Sequence, residues 1–172
     1  MARLSARQLR RWTVAIEAAL LGLFAAGCPP FDGPIVWQES LEGQVLRSVN
    51  RERAKTGLPP LRLNRLLRET ARQHTHDMAR HGFLDHRGSD GLLVEDRLRR
   101  RRIEWIEAAE NVARNKGYAD PVAEAMRAWM ISPEHRHNIL SPRFAETGIA
   151  VCRSKRDEAY YFTQVFALCM PQ

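Results

Sequence analysis

Apolar residues recur at helical spacing through the first two thirds of this chain, and β-branched and aromatic residues gather only near its end. That order lacks the strand-helix alternation of a parallel, doubly wound sheet, so it predicts an α+β fold. Leu41, Val45, Leu46 and Val49 mark a helix over residues 40–55, with Gly57 as its stop. Leu67, Ala71, His74 and Met78 mark a second helix, capped by Asn64 and ending at His81 and Gly82. This stripe puts His74 on the buried face, as a core histidine or one that supports a site, while His76 and His81 face outward. Residues 92–102 read as a third helix. Val122, Ala125, Met126 and Trp129 are the core stripe of a fourth, opened by Asp120-Pro121. Residues 148–152 and 160–168 then read as a hairpin that turns near Arg156-Asp157.

One junction in this pattern carries chemistry. Trp129 closes the apolar stripe, and Ser132-Pro133 follows at once, a serine able to accept from free backbone N–H groups before a proline that has none to leave unpaired. A short helix therefore starts at Pro133, with His135 in its first turn and with Ile139 and Leu140 pinning it to a core. His86 lies in a second such place, in a turn-rich loop just after a helix, where side chains are displayed on a rigid support.

At 172 residues the chain suits one core and one domain. Its formal charge is +7, but the arginines before residue 12 account for much of it, so the folded part is only moderately basic. The basic start, the apolar run over residues 18–26 and Gly27-Cys28 read as an export signal over residues 1–28. Small residues directly before Cys28 resemble a bacterial lipoprotein cleavage site, which would leave Cys28 as a lipidated first residue; an ordinary cleaved signal and a secreted product is the other possibility. Residues 29–39, with three prolines and Gly33, read as a linker, and residues 40–172 as the domain. In the hairpin, Cys152 falls opposite about Tyr160 and far from Cys169, so two unpaired thiols are expected. The arginine run Arg97, Arg99, Arg100, Arg101 and Arg102 reads either as an anion-binding patch for envelope polymers or lipids or as a solvated helix face. It has no interleaved aromatics for base stacking, so nucleic acid is not expected as a partner.

Taken in order, several segments resemble the CAP superfamily (cysteine-rich secretory proteins, antigen 5 and pathogenesis-related proteins), in its bacterial extracellular branch. They are Val49-Asn50-Arg51-Glu52-Arg53 with Gly57-Leu58-Pro59-Pro60-Leu61, His74 to Met78, Phe83 to His86, Glu110-Asn111-Val112-Ala113, Trp129 through Leu140, Gly148-Ile149-Ala150, and Tyr161-Phe162-Thr163-Gln164-Val165-Phe166. The resemblance implies an α-β-α sandwich with a small antiparallel sheet flanked by helices. It also implies a cleft. In the eukaryotic families that cleft holds two histidines and two glutamates, of which His86 matches the first histidine and Glu110 the first glutamate. The second glutamate position falls near Ser132 and the second histidine at Tyr161, so His135 becomes the natural substitute, as in the bacterial branch.

The expected site is therefore a His86, Glu110 and His135 group, with Tyr161 and Gln164 on the neighbouring strand lining its wall. Such a group suits a divalent metal such as zinc, or a histidine-carboxylate pair for acid-base work, or a structural lock in which Glu110 holds His86 in place. There is no His-Glu-x-x-His pair, which excludes a zincin-type metal site on spacing. No serine lies in a nucleophile-elbow pattern, and Cys152 and Cys169 sit in apolar strands that raise thiol pKa. The sequence thus favours an exported, membrane-anchored binding module of the cell envelope, expected to act as a monomer on a lipid or an anionic envelope polymer. A metal-assisted or acid-base hydrolase using the same cleft is the alternative.

Overall fold

Asn64 and Gly82 bound the helix on which the rest of the domain is laid. In a computed structural model, which describes residues 35–169, the Asn64 side chain accepts from the N–H groups of Leu66 and Leu67, and Gly82 closes the helix in the left-handed region (φ 75°). The elements run β1 (Ile35–Trp37), α1 (Glu39–Lys55), β2 (Arg62–Leu63), α2 (Arg65–His81), α3 (Val94–Arg100), β3 (Trp105–Asn115), α4 (Pro121–Ile131), α5 (Pro133–Leu140), β4 (Glu146–Ser154) and β5 (Tyr160–Cys169). The sheet order is β1-β4-β5-β3, antiparallel throughout this path, and β2 adds to β4 in parallel.

Helices cover both faces, giving the α-β-α sandwich. On one face Leu67 and Ala71 of α2 and Val94 and Leu98 of α3 pack on Ala150, Val165 and Ala167. On the other, Val45 and Val49 of α1, Met126 and Trp129 of α4 and Ile139 of α5 pack on Ile149, Phe162 and Phe166. Alternation along the strands divides the two sets. The α2 layer lies so close to β4 that a Cβ at Gly148 would fall 2.0 Å from the Leu67 carbonyl carbon. Glycine is required there for want of space.

Two polar clamps fix the helices that carry the site. Arg53 of α1 is fully buried and donates to the carbonyls of Pro59, Ile139, Ser141 and Phe144, so one guanidinium ties α1 to the far end of α5. Glu42 of α1 pairs with Arg68 and Arg72 of α2, and Arg72 also stacks 4.8 Å over the Trp37 ring.

Three features depart from the sequence reading. Ile35–Trp37, placed in a linker, form an edge strand on β4; three residues between Pro34 and a helix are too few to show alternation. Trp105–Asn115 is the sheet's other edge and pairs with β5 for its whole length. Glu107, Glu110 and Asn111 within it break the apolar signature of a strand. The third helix is shorter than expected and ends at Arg100. The β4-β5 hairpin sets Cys152 opposite Tyr161, one residue from the expected partner, and both Cys152 and Cys169 are free. Cys28 and the expected export signal lie outside the described residues.

Trp129 is 1% exposed, stacks edge-on against Phe162 and donates from Nε1 to the Val112 carbonyl at 3.0 Å. Trp129→Ala removes a large buried side chain and leaves that carbonyl without its donor. A loss of roughly 3–5 kcal/mol is expected, read as a lower denaturant midpoint at unchanged m-value.

Candidate functional site

The site is assembled on one carboxylate. Glu110 sits on β3 opposite Val165 and therefore projects to the α2 face of the sheet, where its side chain is 2% exposed. Arg97 of α3, equally buried, donates from Nη2 to Glu110 Oε2 at 2.7 Å. The rest of that guanidinium reaches the loop above it, donating to the carbonyl of Leu92 at 2.7 Å and to that of His86 at 3.3–3.4 Å. His86 then donates from Nδ1 to Glu110 Oε1 at 3.1 Å. His74 of α2 approaches the same oxygen, with Nε2 at 3.7 Å, and hydrogen-bonds the Asp85 carbonyl at 2.8 Å. One buried acid is thus shared by an arginine and two histidines.

His135 reaches this group from the other helical layer. Ser132 caps α5 by accepting from the His135 N–H, and Pro133 begins the helix. Asn138 donates to Asn111 Oδ1 at 2.9 Å, and Asn111 donates to the His135 carbonyl at 3.1 Å. This pair holds the first turn of α5 against β3. The His135 ring comes to 6.0 Å from that of His86, centroid to centroid, so His86, Glu110 and His135 share one locality.

Tyr161 and Gln164 do not line its wall. Tyr161 lies four residues from Val165 on β5, roughly 13 Å along the strand, and its hydroxyl donates to Asp157 at 2.7 Å under the Arg114 guanidinium. Gln164 alternates to the opposite face of the sheet, where it donates to Thr147 Oγ1. Of the second histidine position implied by the resemblance, only the strand survives.

The titration of the three imidazoles follows from their surroundings. The hydrogen bond to Glu110 raises the His86 pKa above its ordinary value, against a smaller opposing effect of burial. Burial lowers that of His135, and the neighbouring His86 charge adds to the effect. Burial also lowers that of His74, which stays neutral beside Glu110. A proton therefore settles first on His86, whose side chain is 47% exposed. The thiols offer no nucleophile: burial pushes Cys152 up to about 12 and raises Cys169 as well.

A metal does not fit this donor set. Both Glu110 oxygens are engaged, one of them by a guanidinium whose positive charge opposes a dication at that carboxylate. Among the described residues, no three His, Cys, Asp or Glu side chains converge as a metal-binding group.

Arg97 is the functional residue that the sequence analysis misses. Read along the chain it belongs with the arginine run, yet Val94, Arg97 and Leu98 form the buried face of α3, and that spacing is the available signal. The rest of the run faces outward. Arg99 pairs with Asp96, Arg100 with Asp90 and Arg101 with Glu69, and Arg102 lies in the left-handed region at φ 55°.

The fold and the order of these segments agree with comparisons to known proteins. Residues 46–166 match the family model described as CAP, the cysteine-rich secretory protein family. The chain belongs to that family. It is 35% identical over 113 residues to YkwD of Bacillus subtilis strain 168, a match covering 66% of this chain and 43% of that protein. It is 31% identical over 129 residues to the membrane protein YlbC of the same strain, covering 75% of this chain and 35% of that one. The chain thus spans less than half the length of either relative. Among solved structures, an outer surface protein of Borrelia burgdorferi superposes with a TM-score of 0.72 at 15% identity, over 80% of this chain and 99% of that one. An extracellular SCP-domain protein of Bacillus anthracis superposes with a TM-score of 0.63 at 26% identity, over 76% and 41%.

The proton order predicts a specific titration. A group whose folded pKa is raised adds stability below its unfolded pKa and loses it as pH rises through the folded value, so the His86–Glu110 contact strengthens the fold on the acid side of about 6.5. By NMR titration, His86 should show a pKa above that reference and His135 one below it. Glu110→Gln should bring His86 down below the reference. An unchanged His86 value in that variant would show that the bond to Glu110 does not set it.

Proposed function

We propose that this chain is an exported CAP-domain protein of the bacterial cell envelope, tethered through a lipidated Cys28, and that it binds envelope material at the His86–Glu110–His135 cleft. The observation that carries the reading is the pair formed by His86 and Glu110. Glu110 and Arg97 are locked in the interior, so His86 is held at Nδ1 while its exposed edge, with Nε2, is left for a ligand beside His135. A fixed imidazole with a displayed donor is a recognition element formed before the ligand arrives. Support for export comes from the family itself and from the extracellular description of the Bacillus anthracis neighbour. The tether is assigned to Cys28 because small residues stand directly before it, after a basic start and an apolar run. The ligand class is a lipid or an anionic envelope polymer. Arg102 supplies outward positive charge, while Arg99, Arg100 and Arg101 are engaged by acidic neighbours.

Acid-base hydrolysis in the same cleft is the second reading, and the His86–Glu110 bond favours it. A carboxylate at Nδ1 fixes the tautomer, so a deprotonated Nε2 serves as a general base toward a bound water. Burial of Cys152, the raised pKa of Cys169 and the capping role of Ser132 leave water as the nucleophile.

Intact mass of the protein from native membranes tests the tether. A mature chain beginning at a diacylated Cys28 is expected, and a soluble product with unmodified Cys28 contradicts it. His86→Ala and His135→Ala should each weaken co-sedimentation with isolated envelope by about tenfold, equivalent to about 1.4 kcal/mol, at unchanged far-UV circular dichroism. Equal binding by wild type and both variants would remove the cleft from the function. Turnover that depends on His86, with binding retained in His86→Gln, would favour hydrolysis.

A further inference from the structure

Ile35, at the start of β1, fixes which end of the sheet lies within reach of residue 28. It pairs with Ser154 of β4, and the register sets Arg153 beside Tyr160 of β5 and Tyr160 beside Asn115 of β3. The β4-β5 turn and the loop from β3 to α4 therefore leave the sheet at this same end. Residues 29–34 alone separate Cys28 from Ile35. At about 3.3–3.6 Å per residue that connection spans at most about 25 Å. The opposite end of the sheet, where Trp105 pairs with Cys169, lies roughly 30 Å further along the strands, beyond that reach.

The near end is basic. Arg114, Lys116, Arg153, Lys155 and Arg156 stand there with Asp120, Asp157 and Glu158. All of those acids are engaged within the protein. Asp120 caps α4 by accepting from the Val122 and Ala123 N–H groups, Asp157 pairs with Arg114 at 3.0 Å, and Glu158 pairs with Arg153. Lys116, Lys155 and Arg156 are exposed, and among the described residues no carboxylate pairs with any of them. Arg156 Nη1 donates to the Arg80 carbonyl in the last turn of α2 at 3.4 Å, a bond that leaves its charge in place. Tyr118, 52% exposed on the same loop as Lys116, adds a ring with an apolar body and a polar tip, suited to the headgroup level of a membrane.

We propose that this end is a membrane-docking face, with Lys116, Lys155 and Arg156 seated on the anionic phospholipid headgroups of the bilayer that holds the tether. The inference rests on the tether at Cys28 proposed above and adds to it the orientation of the domain. Each Lys or Arg near an anionic surface strengthens attachment by about fivefold, so these side chains together strengthen it by roughly a hundredfold. The cleft then stands clear of the headgroups, because Glu110 lies well before Asn115 on β3, roughly 17 Å along the strand.

The test is sedimentation of the full chain, at low salt, with vesicles of phosphatidylcholine alone and of phosphatidylcholine and phosphatidylglycerol in equal parts. Cys28→Ser is present throughout, so that acylation does not mask the effect of charge. Lys116→Gln, Lys155→Gln and Arg156→Gln combined should lower partition into the mixed vesicles by roughly a hundredfold and leave partition into phosphatidylcholine unchanged. These side chains are exposed, so the denaturant midpoint should stay that of the parent. Arg99→Gln with Arg102→Gln, at the far end, should change neither partition. In the lipidated chain on the mixed membrane, amide exchange over residues 153–158 should slow relative to phosphatidylcholine alone, and that over residues 99–106 should not. Equal partition of the triple variant and its parent, or a loss that follows Arg99 and Arg102 instead, would overturn the docking face even with Cys28 acylated. The tether fails separately: an unmodified Cys28 in the intact mass contradicts the anchor, while charge-dependent partition of the Cys28→Ser chain still supports the face.

Discussion

An acid taken out of water needs a counter-charge, and in this domain the pairing of Glu110 with Arg97 organises everything around it. Both side chains are almost wholly buried, a condition that costs several kcal/mol per ion before any pairing. The cost is offset because neither group stops at the other. Arg97 also donates to two carbonyls of the loop between α2 and α3, and Glu110 also accepts from His86. The contacts that make the ion pair tolerable are therefore the ones that hold the His86 loop in place. Stability and display of the imidazole are one arrangement.

The second half of the site arrives through the opposite layer of the sandwich, and β3 is where the layers meet. Glu110 faces α2 and α3, while its neighbour Asn111 faces α5 and holds that helix by the His135 carbonyl. Arg53 fixes the other end of α5 through Ile139 and Ser141. Two adjacent residues of one edge strand thereby bring histidines from two different layers within 6.0 Å. The polar content of β3, a defect by the standards of a sheet, follows from this role.

Much of this is legible locally. The N-cap Asn64, the stop at Gly82, the stripe that buries His74 and the Ser132-Pro133 helix start each depend on nearest neighbours, and each is found as read. What fails depends on distant partners. Arg97 reads as one of a run of surface arginines because nothing near it in the chain announces Glu110, thirteen residues away. β1 is a strand only because β4 has an edge to cover. Tyr161 and Gln164 belong to a segment that matches the family, but strand alternation and the pull of Asp157 decide where they point. Resemblance locates the segment, and the sheet decides the faces.

The central claim is that Glu110 and Arg97 act as a single buried unit, and a double-mutant cycle tests it most directly. Denaturant unfolding of Arg97→Met, Glu110→Met and the double variant separates the pair from its members. Each single change strands a buried charge and should cost roughly 3–5 kcal/mol, while the double variant should lose distinctly less than the sum. Additive losses in the double variant would contradict the account, because they would mean that each residue is held by its other contacts and that the pair organises nothing.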